Sequence, residues 1–360
     1  MIWHWLRQSA TLAVPFLVAL SAASPLAVAQ TAPEVWFMPA GASPDIDDLF
    51  THPDEWPRAR SRINVFAFSP GQLTIPKDGR PTLLSGLVAV NAFRTLGAWG
   101  IGTALEVPAI KEFDCTGNWN ARVTASLIEI VYVSGGAVQF LDMDEPLISG
   151  LGLNVPKCHL DIDQTAAATA EYATAVTTNP KITAHGPPPR IVDIEAYPSL
   201  SVQQIEQWIS ALERDGLKLA GFDIDVDVHY INIHTDIKSR LDSDLQALKN
   251  FMSVKKMPFG IIIWSGYDPV PSDQEYYNDA MDWVRTVHRA IGSPDRLVFE
   301  SWVTRCSQSG PCTGPHFGCS TSDPGDCGSV SVPLNLPEND RAKYRHARLI
   351  NDALAIFGQP

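Results

Sequence analysis

The pattern of hydrophobic and polar positions alternates between two kinds of segment. Short apolar runs bounded by Gly, Pro or acidic residues read as buried strands. They fall at residues 35–38, 64–68, 100–105, 138–142, 190–194, 219–226, 259–264 and 296–299. Between them, apolar residues recur three and four apart, as on one face of a helix. These stretches cover 45–62, 83–96, 118–134, 163–177, 201–213, 242–254, 273–291 and 340–357. Leu49, Trp56, Ala59 and Ile63 share a face in the first of them. Ser201 stands as an N-cap before the stripe Ile205, Trp208, Ile209 and Leu212, and Gly135 with Gly136 closes the third helix as a C-cap would. Eight strands alternating with eight helices predict an α/β fold, a single (β/α)8 TIM barrel. An open doubly wound sheet would usually carry a Gly-rich phosphate turn after an early strand, and the chain has no G-x-G-x-x-G.

The strand ends add chemistry to this pattern. The run Val138-Gln139-Phe140-Leu141-Asp142-Met143-Asp144-Glu145-Pro146 begins apolar and ends in three carboxylates and a proline, which has no N–H to give to a ladder. Glu106 follows the third strand. Asp193 and Glu195 end the fifth, Asp223, Asp225 and Asp227 the sixth, and Glu300 the eighth. Barrel enzymes keep their sites at the C-terminal ends of the strands, so these acids predict one carboxylate-lined cleft. Alternation puts Asp142 with Asp144, Asp193 with Glu195, and Asp223 with Asp225 and Asp227 on common faces. If those faces turn into the mouth, mutual repulsion raises some pKa values, which a general acid requires. Tyr197, Trp264, Tyr267 and Trp302 stand beside the acids. Flat rings next to carboxylates suit sugars, whose C–H faces stack on aromatics while their hydroxyls bond to acids. Trp36 and Trp99, near earlier strands, read as core.

Two short motifs give the pattern a resemblance. Asp144-Glu145-Pro146 resembles the Asn-Glu-Pro ending of the fourth strand in many retaining (β/α)8 glycoside hydrolases, and the resemblance implies that Glu145 is the acid/base. Asp144 departs from the Asn of that motif. Phe299-Glu300-Ser301-Trp302 resembles the strand end that carries the nucleophile in those enzymes. There it usually closes the seventh strand, whereas here the count makes it the eighth. Gly221-Phe222-Asp223-Ile224-Asp225-Val226-Asp227 is similar to the chitinase-type strand Gly-x-Asp-x-Asp-x-Glu, with Asp227 in place of the final Glu and on the sixth strand rather than the fourth. The expected catalytic residues are therefore Glu145 and Glu300, with Glu195 as the first substitute. Asp142, Asp144, Asp193, Asp225, Asp227, Tyr197, Trp264, Tyr267 and Trp302 are expected to bind substrate.

Composition narrows the classes. Arg7 is the only formal charge before Glu34, an apolar run spans 11–23, and Ala27-Val28-Ala29 fits a cleavage site. Residues 1–29 read as a signal peptide and 30–360 as one catalytic barrel, secreted or periplasmic and free of the membrane after cleavage. Loss of Arg7 takes the formal net charge from −13 to −14, and no basic face suited to nucleic acid is visible. In an exported chain the six cysteines predict disulfides. One is expected between Cys115 and Cys158. Two more are expected among Cys306, Cys312, Cys319 and Cys327, within a Cys-rich loop at 302–332 that would wall the cleft; a zinc site is the alternative for that cluster. The reading expects a carbohydrate substrate and neither a metal nor another cofactor. Two other classes stay open. One is a metal-dependent barrel hydrolase or isomerase, for which His229 and His234 after the sixth strand are the nearest ligands. The other is a barrel that binds carbohydrate without cleaving it.

Overall fold

A computed structural model of the chain describes residues 32–39, 46–73, 82–267, 270, 272–303 and 332–358. The expected signal peptide and residues 304–331 lie outside the described residues. So do Cys306, Cys312, Cys319 and Cys327, with the bridges or zinc site expected of them.

The eight strands are β1 (Glu34–Met38), β2 (Val65–Phe68), β3 (Gly102–Val107), β4 (Phe140–Asp144), β5 (Arg190–Tyr197), β6 (Gly221–Val226), β7 (Phe259–Ile263) and β8 (Arg296–Glu300). They pair in sequence order into one closed parallel barrel. β8 returns to β1, with Glu34 opposite Arg296 and Met38 opposite Glu300. Strands covered on both faces must be apolar on both, and β7, Phe-Gly-Ile-Ile-Ile, is buried throughout. Each fully buried Ile or Leu contributes roughly 1.5–3 kcal/mol.

Helices join the strands as expected, with three corrections, the first being that the helix expected over 340–357 is a 3-10 turn at Asp340–Ala342 followed by a helix only over His346–Ile356. The single helix expected over 45–62 is broken into Asp48–Thr51 and Pro57–Arg60 around the 3-10 turn Pro53–Glu55. Pro53 and Pro57 lack the N–H that a continuous helix needs. Leu49, Trp56, Ala59 and Ile63 are buried all the same. The helix expected over 83–96 is two, Leu83–Ala89 and Ala92–Trp99, divided at Asn91, whose φ of 55° no helix interior accepts. Asn118–Val133, Ile162–Thr177, Val202–Arg214, Thr235–Lys255, Asp273–Ile291 and His346–Ile356 complete the outer layer. Ser201 does cap its helix, in a reciprocal box with Gln204. Among the described residues, no helix is long and apolar enough to cross a membrane.

The lower barrel is built around a buried cation. Arg296 opens β8 and points inward. It donates to both oxygens of Asp223 at 3.0 Å and to Glu34 at 3.1 Å. Its guanidinium lies 4.2 Å from the centre of the Trp36 ring, which packs on Phe140 at 4.8 Å. Trp36 is core, as expected. Two glycines make the room: a Cβ on Gly260 would meet Asp223 Oδ1 at 1.8 Å, and one on Gly221 would meet the Arg296 guanidinium at 2.8 Å. Trp99 packs outside the barrel on Phe50 and Trp56.

Candidate active site

A cavity of about 340 Å³ opens at the C-terminal end of the barrel. All eight strands reach it, through Met38, Ser69, Glu106, Asp144, Ile194, Asp225, Ile262 and Glu300 in or just past their C-terminal halves. Roomier hollows of about 770 and 560 Å³ lie among the outer helices and hold none of the strand-end acids. Chemistry, not size, points to the smaller one.

Glu145 is held by backbone geometry. β4 stops at Asp144 because Pro146 follows two residues later and begins the short helix Pro146–Leu151. The intervening Glu145 takes a left-handed conformation (φ 48°, ψ 51°), and its N–H donates to Ile194 O at 3.0 Å. A non-Gly residue there is strained by about 1–3 kcal/mol, a feature that clusters at functional sites. Burial, with the charge of Asp144 added, pushes the Glu145 carboxyl up to about 7, against the pull of Lys111. Lys111 comes from the loop after β3 and binds Asp144 at 2.7 Å. Burial alone would lower Lys111, but Asp144, Glu145 and Glu106 outweigh it and keep it charged.

Glu106 and Glu300 form the second feature. Their side chains are hydrogen-bonded to each other, and both are lifted by burial. Glu106 rises to about 8, with Asp144 adding to the effect, and Glu300 lies well above the carboxylate range. Two carboxyls in contact cannot both ionise, so the pair keeps a proton at neutral pH. Asp225, beside them, is raised by burial and by Glu145, and it accepts from Trp264 Nε1 at 2.8 Å. Trp264 packs on Trp302 with ring centres 4.5 Å apart, and the half-open face of Trp302 lines the cavity.

The expected site residues divide. Glu145, Glu300, Asp144, Asp225 and Trp302 line the cavity, and Trp264 backs it. Asp142 faces inward but lies a layer below, 3% exposed, among Asp223, Arg296 and Glu106. Glu195, the substitute catalyst, points the other way. It is fully buried and accepts the N–H groups of Leu147 at 2.6 Å and Ile148 at 3.4 Å, so it pins the turn that carries Glu145. Asp193 turns outward too, to Trp208 Nε1 at 2.7 Å, and Tyr197 donates to Asp244 at 2.6 Å. Asp227 is exposed and caps the next helix through Tyr230 N at 2.8 Å. Tyr267 lies on the outer 560 Å³ hollow against His229. The reason is one of register: on β5 the odd-numbered residues face the helices, whereas the even-numbered residues of β4 and β8 and the odd-numbered residues of β6 face the axis.

Sequence reasoning underrated Glu106 and missed Lys111. Glu106 was visible as a lone acid at a strand end. Lys111 sits in a loop, where no periodicity marks it. Among the described residues, no group of three His, Cys, Asp or Glu side chains is arranged to hold a metal ion.

No protein-family model matches the chain, and no curated protein matches it in sequence. Solved structures do. A GH26C protein from Muricauda sp. aligns at 11% identity and a TM-score of 0.47, covering 84% of this chain and 90% of that one. A fungal beta-1,4-galactanase aligns at 12% and 0.45, covering 75% and 89%. A phosphonopyruvate hydrolase aligns at 11% and 0.39, covering 74% and 75%. At such identities and TM-scores the chemical reading stands on the residues of the cavity alone.

Proposed function

We propose that this chain is a glycoside hydrolase acting on a polysaccharide or oligosaccharide. Glu145 is its proton donor, and the Glu106–Glu300 pair supplies the second carboxylate. One observation carries the reading: Glu145, held left-handed at the end of β4 and raised by burial, lines the same cavity as the hydrogen-bonded Glu106–Glu300 pair. Two-carboxylate cleavage needs one acid and one base at a single bond.

In the proposed step Glu145 gives its proton to the glycosidic oxygen as the bond from that oxygen to the anomeric carbon breaks. Glu300 attacks the anomeric carbon or takes a proton from the attacking water. The hydrogen bond between the two lowers Glu106 and raises Glu300, so the pair's remaining proton rests on Glu300 until it passes across that bond to Glu106, which leaves Glu300 as the carboxylate that acts. Lys111 offsets the charge of Asp144, which keeps the site from becoming so negative that Glu145 could never release its proton. Trp302 offers a flat face to a sugar ring. The left-handed backbone at Glu145 supports the reading because such strain persists only where the surroundings enforce it.

Export is part of the proposal, resting on the pattern of residues 1–29. N-terminal sequencing of the exported protein should then begin at Gln30; a protein that keeps residue 1 would refute export by cleavage. The test of function is hydrolysis of a broad glycan panel by the wild type, Glu145→Gln, Glu300→Gln and Glu106→Gln. The expected result is activity in the wild type, loss in the first two variants, and substantial retention in Glu106→Gln, whose amide still donates to Glu300. If Glu106→Gln is dead and Glu300→Gln active, the two members of the pair exchange roles. A wild type inert on every glycan, with and without divalent metal, removes the hydrolase reading; binding without cleavage would favour the carbohydrate-binding barrel.

A further inference from the structure

The loop after β3 and the first turn of the helix that follows it carry an exposed aromatic pair that the proposed chemistry does not use. Phe113 is 59% exposed and Trp119 50% exposed, and their rings meet edge to face at 5.8 Å. Exposed rings of this size are uncommon on a protein surface unless something covers them. The pair is rigidly mounted. Asp114, between them, accepts the N–H groups of Trp119 at 2.7 Å and Asn120 at 2.8 Å and so fixes the start of the helix Asn118–Val133. The Cys115–Cys158 bridge ties the same loop to the one after the Pro146–Leu151 helix. The pair also stands close in the chain to a residue that reaches the cavity's lining. Lys111 binds Asp144 inside it, and Phe113 is two residues further on, a span of at most about 7 Å between Cα atoms.

We infer that Phe113 and Trp119 form an outlying binding platform for a neutral glycan chain, extending the cleft beyond the β3 and β4 edge of the mouth. This rests on the hydrolase reading for its occupant. The choice of a neutral polymer follows from charge. No basic side chain lines the cavity among the described residues and the chain carries a formal net charge of −13, so an anionic polymer would find no cation to pair with at the mouth and would be repelled by the chain as a whole. The platform itself presents apolar ring faces, which suit the C–H faces of sugar units. Trp302 follows β8 and this pair follows β3, three strands away around the closed barrel, so a chain resting on both crosses the mouth. A substrate of several units is therefore held better than a disaccharide, and the enzyme acts within chains.

The test separates the platform from the catalysis. Glu145→Gln protein, alone and with Phe113→Ala and Trp119→Ala added, is titrated calorimetrically with linear gluco-, xylo-, manno- and galacto-oligosaccharides from disaccharide to hexasaccharide. In the parent, affinity should climb with chain length for at least one series. The added truncations should remove roughly tenfold of the affinity for the hexasaccharide and leave the shortest bound ligand unchanged. Equal weakening at every length, no weakening, or no binding in any series overturns the platform. Sedimentation of the protein with and without the truncations covers the other occupant: a dimer that the truncations dissociate would assign the rings to a second copy and likewise overturn it. Failure of the hydrolase reading shows separately, as wild-type protein that binds a series and cleaves none of it.

Discussion

β4 and β5 lie side by side and end in nearly the same way, with acids two residues apart, yet the acids have opposite fates. Asp142 and Asp144 of β4 face the axis, whereas Asp193 and Glu195 of β5 face the helices. The register pairs Asp144 with Ile194, and these are the residues that line the cavity. What separates the two sets is what they bind. The outer acids have protein partners that are not acids: Trp208 for Asp193, and two backbone N–H groups for Glu195. The mouth acids have chiefly one another, with Lys111 and Trp264 as the exceptions. A carboxyl whose main neighbour is a second carboxyl adds nothing to a fold that a neutral residue could not. Under the proposed hydrolase reading, such a pair acts on the ligand.

The largest effect that can sharpen this contrast is at the mouth. Glu145→Gln and Glu300→Gln should each lower kcat by on the order of 10²–10⁴. Neither should lower the thermal midpoint, because each removes an ionisable group from a crowd of like groups. A variant that loses activity only because it melts earlier would place that carboxyl with the structural acids of β5.

Next comes Glu195. Glu195→Ala should cost about 2–4 kcal/mol in urea denaturation, because it leaves the N–H groups of Leu147 and Ile148 unpaired in the interior. It should also slacken the turn that holds Glu145 left-handed, so activity of the folded protein should fall with little change in KM. A stability loss under about 0.5 kcal/mol would mean that the anchoring is idle. Smaller again is Trp208→Phe, which takes from Asp193 the partner of its Oδ2 while Oδ1 has none already. The expected cost is about 1–2 kcal/mol, with catalysis unchanged at saturating substrate.

How much of this contrast could be read beforehand follows from what periodicity encodes. The eight strands were legible because each is an apolar run closed by a breaker or an acid, and the eighth-strand position of Glu300 stands in the barrel as counted. The Cys115–Cys158 bridge was legible because both residues follow strand ends that prove adjacent. Alternation also told which acids share a face. It could not tell which face, since a period of two is unchanged by turning the strand over. The decision lay in partners distant in sequence: Trp208 on one helix, Leu147 at the start of another, Asp244 on a third for Tyr197. Lys111 was illegible for a different reason. Its role depends on the path of a loop, and only contact with Asp144 separates it from any other surface lysine.

The finest discrimination comes from pH. Glu145 sits at about 7 and Glu106 at about 8 in the folded protein, against an ordinary value near 4.5. The folded state therefore binds more protons than the unfolded one between these limits, and linkage makes stability fall as pH rises. The contribution of Glu145 is complete below about 4.5 and lost as pH passes 7; that of Glu106 is lost as pH passes 8. The thermal midpoint should decline between pH 5 and 8 in the wild type, and the decline should be shallower in Glu145→Gln and in Glu106→Gln. Activity should fall over the same alkaline range, since Glu145 without its proton has nothing to give the leaving oxygen. Lys111→Met should move that alkaline limb to higher pH, because the cation holding Glu145 down is gone. If the limb stays in place while stability drops, Lys111 serves only to neutralise Asp144, and the mouth acids are tuned by burial and by one another alone.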